Sequence, residues 1–250
     1  MIRTRNAVLA TAAIAALITG GTALVGPRDA HAQDQAFSIS QNVTTDAVTV
    51  CNTNPVIATY HGTVNLTIPV VTLLANFQDE MQAAAAAGQS PHAAGAQNPD
   101  ITFTVSVPQG TQVGPGTVTN SSSLISNWWL SPNSEKTEMK VNLHLTQTDW
   151  QGLYTTYTSE KSNPLGHTIT IKIPYAVGAN NATDAARIAQ EQVTSTATVK
   201  FYTGGDTPNK VFTSAVASNP IASTPTDCFS NAPQRTTRWV DAETGADRKA

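Results

Sequence analysis

Positive charge is missing from a long stretch of this sequence. Between Gln33 and Ser134 there is no lysine or arginine, against five acids, Asp34, Asp46, Asp79, Glu80 and Asp100. From Glu135 to the end, eleven basic residues face eleven acidic ones. A nucleic-acid binder needs a basic patch to meet phosphates, and half of this chain cannot supply one, so that class of partner is set aside. Charged residues make up 12% of the chain and apolar ones 40%. Soluble proteins usually carry roughly 25% charge, so Ser, Thr, Asn and Gln must provide most of the wet surface here.

Cysteine is nearly absent. The two that occur, Cys51 and Cys228, fit no zinc or redox spacing. In an exported chain such a pair predicts a disulfide joining early and late parts of one domain. Closing so long a loop contributes roughly 5 kcal/mol in the chain-entropy account.

Catalytic signatures are missing as well. There is no G-x-S-x-G elbow, phosphate loop or dinucleotide fingerprint, so no catalytic residue and no cofactor is assigned. His61, His92, His144 and His167 lack metal-ligand spacing, and no metal is expected. The sequence reads them as solvated, with His144 on a polar face beside Lys140 and Asn142 and His92 in a loop. Asp79 and Glu80 are adjacent on an expected helix, where consecutive side chains point apart, and so read as a wet face. After the first residues, no segment approaches the roughly 20 apolar residues of a membrane-spanning helix.

Several patterns are present. The start "MIRTR", with Arg3 and Arg5, the apolar run Ala7 to Ile18 and the small-residue exit Ala30-His31-Ala32 read as a signal peptide over residues 1–32. The mature chain then begins at Gln33, as a secreted protein or one kept in the cell envelope. Residues 33–233 read as a single β-rich domain. The charged, aperiodic segment 234–250 reads as disordered.

Strict alternation of apolar and polar residues recurs. Val64, Leu66 and Ile68 take turns with Asn65 and Thr67, and Ile101, Phe103, Val105 and Val107 with Thr102, Thr104 and Ser106. Val141, Leu143 and Leu145 alternate with Asn142 and His144, Ile169, Ile171 and Ile173 with Thr170 and Lys172, and Ala197, Val199 and Phe201 with Thr198 and Lys200. This period of two puts one face in a core and the other in water, the mark of antiparallel sheets.

Helical signals lie between the strands. One starts near Thr72 and stops at Gly88. Thr148 and Gln151 form a capping box for a helix over 149–159. "NATDAARIAQEQ" at 181–192 marks a third helix, and the turn at Gly204 to Asp206 predicts a hairpin into Val211-Phe212. The fold expected is mainly β, an antiparallel sandwich or half-barrel with two or three short helices in its connections. The alternative is α+β, with helices on one face of a single sheet.

Two segments share a design. "VNLTIPVVTLLANF" at 64–77 and "VNLHLTQTDWQGLY" at 141–154 each place a Val-Asn-Leu strand before a helix carrying an aromatic, Phe77 or Tyr154. A second strand ending at proline, Pro108 or Pro174, follows each. Duplication and coincidence are both open readings; duplication predicts that the units pair about a pseudo-twofold axis.

"LISNWWL" at 124–130 puts two tryptophans on one strand, where neighbours face opposite ways. Trp128 shares parity with Leu124 and Leu130 and is the core candidate. Trp129 falls on the other face, where a flat aromatic serves a sugar ring, a protein partner or another subunit. Four N-x-S/T sequons, at Asn42, Asn65, Asn120 and Asn181, matter only in a glycosylating host.

These features favour a secreted or envelope-associated, non-enzymatic binding or structural module whose partner is a protein, a glycan or an apolar ligand. A carrier for an apolar molecule, held between a sheet and the helix at 72–87, is the first alternative. A hydrolase built from convergent Ser or Thr and His is the second.

Overall fold

The computed structural model describes residues 37–45, 50–53, 56–91, 98–146, 149–221, 239–240 and 247–248. The expected signal peptide, His92, Thr148 and Cys228 lie outside them, and with Cys228 goes the expected disulfide. Twelve strands of the described residues build the two main sheets, in chain order: β1 (Gln41–Thr45), β2 (Val50–Thr53), β3 (Val56–Pro69), β4 (Ile101–Ser106), β5 (Thr111–Val113), β6 (Thr117–Asn120), β7 (Ile125–Pro132), β8 (Glu138–Leu145), β9 (Thr168–Ala179), β10 (Gln192–Phe201), β11 (Lys210–Thr213) and β12 (Ala217–Pro220). Four helices interrupt them: α1 (Val70–Leu74), α2 (Gln78–Ala86), α3 (Trp150–Glu160) and α4 (Ala182–Ile188). Within the segment expected to be disordered, Trp239–Val240 pairs with Asp247–Arg248.

The strands form two six-stranded antiparallel sheets, an open sandwich in agreement with the sequence. In the first sheet β3 and β9 are central, with β1 and β2 along the free edge of β3 and β5 and β6 along that of β9. The second runs β11-β10-β4-β8-β7, with β12 also on β10. Alternation decides the packing. Val64, Leu66, Ile169, Ile171 and Ile173 from one sheet and Ile101, Phe103, Val141, Leu143 and Val199 from the other are wholly buried in a shared core.

The repeated segments occupy equivalent places. In each unit the chain leaves one sheet, makes its helices and returns in the other: β3 to β4 by α1 and α2, β8 to β9 by α3. The first strand of each unit pairs with the second strand of the other, Val64 with Ile173 and Val141 with Phe103, Leu66 with Ile171 and Leu143 with Ile101. This reciprocal exchange has the connectivity of a pseudo-twofold arrangement.

Helix boundaries follow local chemistry. The expected helix at 72–88 starts earlier, at Val70, and passes through a tight 3₁₀ turn at Ala75–Phe77 before continuing; Gly88, at φ 63°, ends it in the left-handed region open to glycine. The cap of α3 is Asp149 rather than Thr148: its carboxylate accepts the Gly152 N–H at 2.7 Å. Asn181 caps α4 by accepting the Asp184 N–H at 2.8 Å. The space between helices and sheet is filled. Phe77 stacks on Phe201 at 5.5 Å and meets Phe212 edge-on, and Trp150 stacks on Phe201 at 4.7 Å. The helix face expected to line a carrier's pocket is therefore packed shut.

Pro174 stands inside the longest ladder, where proline is normally excluded. Its carbonyl accepts the Gly114 N–H at 2.7 Å, so its backbone polar groups point away from β3, into the gap where the outer partner of β9 changes from β6 to β5. The missing N–H costs no bond to β3.

Tyr175 lies over Gly62 of β3, and its hydroxyl donates to the Ile221 carbonyl. A Cβ at position 62 would fall 2.3 Å from the ring's far end. Gly62→Ala is expected to push that ring off its partner and destabilise the domain by about 1–3 kcal/mol. A lower urea midpoint with an unchanged slope is the readout.

Candidate binding surface

The two tryptophans sit on β7, the edge strand of the second sheet. A bulge between Ile125 and Asn127 sets their register, after which Trp128 stands opposite Leu143 and Trp129 opposite Asn142. Parity thus assigns the faces as the sequence implies, but not the burial. Trp128 points to the core side yet is 37% exposed, because among the described residues β7 has no further strand beside it. Trp129 lies on the outer side and is half-buried, its ring 5.0 Å from the His144 imidazole at a tilt of 43°.

His144 is not solvated as the alternation suggested. It is 6% exposed, and its Nδ1 lies 3.4 Å from Oδ2 of Asp100, which is 1% exposed. The Asp100 carboxylate also accepts the Leu145 N–H at 2.9 Å. Trp129, Asp100 and the neighbouring strands cover the ring from several sides, which a pattern of alternation along one strand does not register. Asp100 also borders Tyr202. Burial first, then the Asp100 and Asp206 charges, push the Tyr202 phenol up from its ordinary value.

Beside this pair runs a row of side chains in register across five strands, all on the outer face: Trp129, Asn142, Thr102, Thr198 and Thr213. Thr102 donates to the Asn142 carbonyl oxygen at 3.1 Å, and Asn142 is itself buried, at 8% exposure. Thr198 and Thr213 share a hydrogen bond at 3.3 Å. The row is uncharged, with its single aromatic at one end.

His167 faces the other buried carboxylate. Its Nδ1 is 3.6 Å from Glu160, which accepts the Ser122 hydroxyl and the Ser123 N–H, each at 2.6 Å. The carboxylate lies in the middle of this trio. A nucleophilic serine requires the imidazole between hydroxyl and acid, so Ser122, Glu160 and His167 fasten the turn before β7 rather than activate a hydroxyl. His61 is exposed. Among the described residues, no group of three or more His, Cys, Asp or Glu is placed to hold a metal, and no helix is long and apolar enough to cross a membrane. Three sequon asparagines are engaged in the fold: Asn181 as a cap, Asn120 through Ser122, and Asn65 through Thr63 and Thr44.

No family model and no curated protein matches the sequence. Among solved structures, the N-terminal domain of the Streptococcus gordonii adhesin Sgo0707 is similar at 14% identity and a TM-score of 0.29, over 73% of this chain and 32% of that one. The chain thus spans about a third of that protein's solved length. A second similar structure, described as pH-induced modulation of Streptococcus parasanguinis adhesion by Fap1 fimbriae, has 8% identity and a TM-score of 0.26, over 72% of this chain and 93% of that one. Likeness at this level assigns neither a fold family nor a partner.

Two outcomes follow from the buried groups. Asp100→Ala leaves the Leu145 N–H without its acceptor and is expected to cost about 1–3 kcal/mol in urea unfolding, with a change in tryptophan emission as His144 moves under Trp129. At high pH, burial and the neighbouring Tyr154 raise the phenol of Tyr157 as Tyr202 is raised. The unfolded chain therefore loses these protons first, from about pH 10. Stability from this source is complete below that pH and is lost as pH rises through the higher folded values. The urea midpoint should fall above pH 10, and less steeply in Tyr202→Phe.

Proposed function

We propose that the chain is an exported, envelope-associated module that binds a neutral glycan without chemical turnover, on the outer face of the second sheet. The observation that carries this reading is the row from Trp129 through Asn142 and Thr102 to Thr198 and Thr213. An indole offers a flat apolar surface to the C–H face of a pyranose ring, while the threonine hydroxyls meet its hydroxyls and the buried Asn142 amide holds Thr102 in place. The absence of an ion within the row disfavours selection of a charged ligand. Adjacent strands lie about 4.8 Å apart, comparable to the length of one pyranose unit, so a sugar chain lying across the strands meets one side chain of the row per residue. The signal-peptide pattern of residues 1–32 supports export, and the low charge is consistent with an uncharged partner.

Retardation in native gels containing neutral soluble polysaccharides, together with retention on cell-envelope fragments of the producing organism, tests the reading. Trp129→Ala should weaken retention about tenfold, equivalent to about 1.4 kcal/mol, with little change in melting temperature. Thr102→Val, which frees the Asn142 carbonyl, should weaken it less. Equal retention of wild type and Trp129→Ala, or retention of neither, removes the glycan surface. Retention on envelope fragments that protease treatment abolishes would indicate a protein partner.

A further inference from the structure

A groove separate from the glycan surface opens where β9 changes partner. Between β5 and β6 the chain passes through Gly114-Pro115-Gly116, pressed against the sheet. A Cβ at Gly116 would lie 2.4 Å from Cδ1 of Ile173 and 2.7 Å from Cδ2 of Leu130. The position therefore admits only glycine without repacking, and no side chain from it stands over the opening. Leu130 from β7 and Met139 from β8 form the opposite wall, and the cavity measures about 370 Å³. That is within the roughly 300–1,000 Å³ typical of small-molecule sites.

One charge lines this apolar groove. Lys136, at the tip of the β7–β8 hairpin, has φ 56°, a conformation that disfavours any residue with a Cβ. Its backbone is fixed there: its N–H donates to the Asn133 carbonyl at 3.1 Å, and its own carbonyl accepts the Val113 N–H at 2.7 Å. Asn133 closes the turn by accepting the Thr137 and Glu138 N–H groups at 2.9 and 3.1 Å. Glycine would fit this turn without strain, yet the position carries an ammonium, which makes no ion pair among the described residues. Lys136 also lines an adjoining cavity of about 350 Å³, together with His61, Gln112 and Tyr175. The apolar groove thus continues past Lys136 into a second recess.

We infer that this groove is a second binding site, for a single-chain fatty acid whose acyl chain lies along Leu130 and Met139 and whose carboxylate meets Lys136. The formal net charge of −3 and the scarcity of lysine deny the chain the polybasic surface an anionic bilayer would attract, which favours a free amphiphile over a membrane.

Calorimetric titration of the full chain with dodecanoate, below its micelle-forming concentration, tests this against dodecanol and phosphatidylglycerol vesicles. Dodecanoate should saturate at one equivalent, at least tenfold more tightly than dodecanol. Lys136→Gln, which keeps the backbone constraint and removes the charge, should lose about tenfold in dodecanoate affinity. Lys136→Gly should lose as much while melting at a higher temperature, which separates binding from folding. Trp129→Ala should bind dodecanoate unchanged, so the failure of one site is distinguishable from that of the other. No saturable dodecanoate binding, equal affinity in Lys136→Gln, or binding to vesicles alone would overturn the assignment.

Discussion

The twelve consecutive residue pairs between β3 and β9 hold the structure together. They join strands at opposite ends of the two strand-helix-strand units, and the six pairs between β4 and β8 repeat the exchange in the other sheet. Every other strand of the two six-stranded sheets attaches to one of these two ladders directly or through β10. The shared core forms because both ladders turn their apolar faces inward at once. A shift of one residue in either would bring Asn65 or Asn142 into the space now held by Leu66 or Leu143.

Much of this was legible in the sequence, since alternation along a strand is a local signal that burial on one side imposes directly. Residues 64–68, 101–106, 141–145, 169–173 and 197–201 all lie in strands with the expected faces inward, and Val107 is buried just past the end of β4. The likeness of residues 64–77 and 141–154 also anticipated the reciprocal pairing. Exchange between two sheets was not legible, because strand partnership depends on contacts distant in sequence. Helix starts were off by one or two residues, and Asp149 shows why: either of two neighbouring side chains can cap a helix, and tertiary packing decides which does.

The candidate binding surface was less legible than the fold. Parity placed Trp128 and Trp129 on opposite faces, but their burial depends on β7 being an edge strand, which no single-strand pattern reveals. Asp100 gave a faint signal as a lone acid that continues the polar face of β4 by one residue. Its partner His144 read as a wet side chain because its cover comes from β7 and from the residue before β4. The groove at Lys136 was not visible at all, since it is made by the spacing between β5, β6 and the β7–β8 hairpin.

The same exchange of strands bears on how the protein is made. Thr67 and Thr170, which share a hydrogen bond across the central ladder, lie 103 residues apart. A polypeptide synthesised from its amino end delivers β3 long before β9 arrives, so that strand waits with an unmatched edge. Contacts this far apart in sequence close slowly, and between Gln33 and Ser134 five acids face no lysine or arginine, so like charge opposes the pairing of one waiting chain with another.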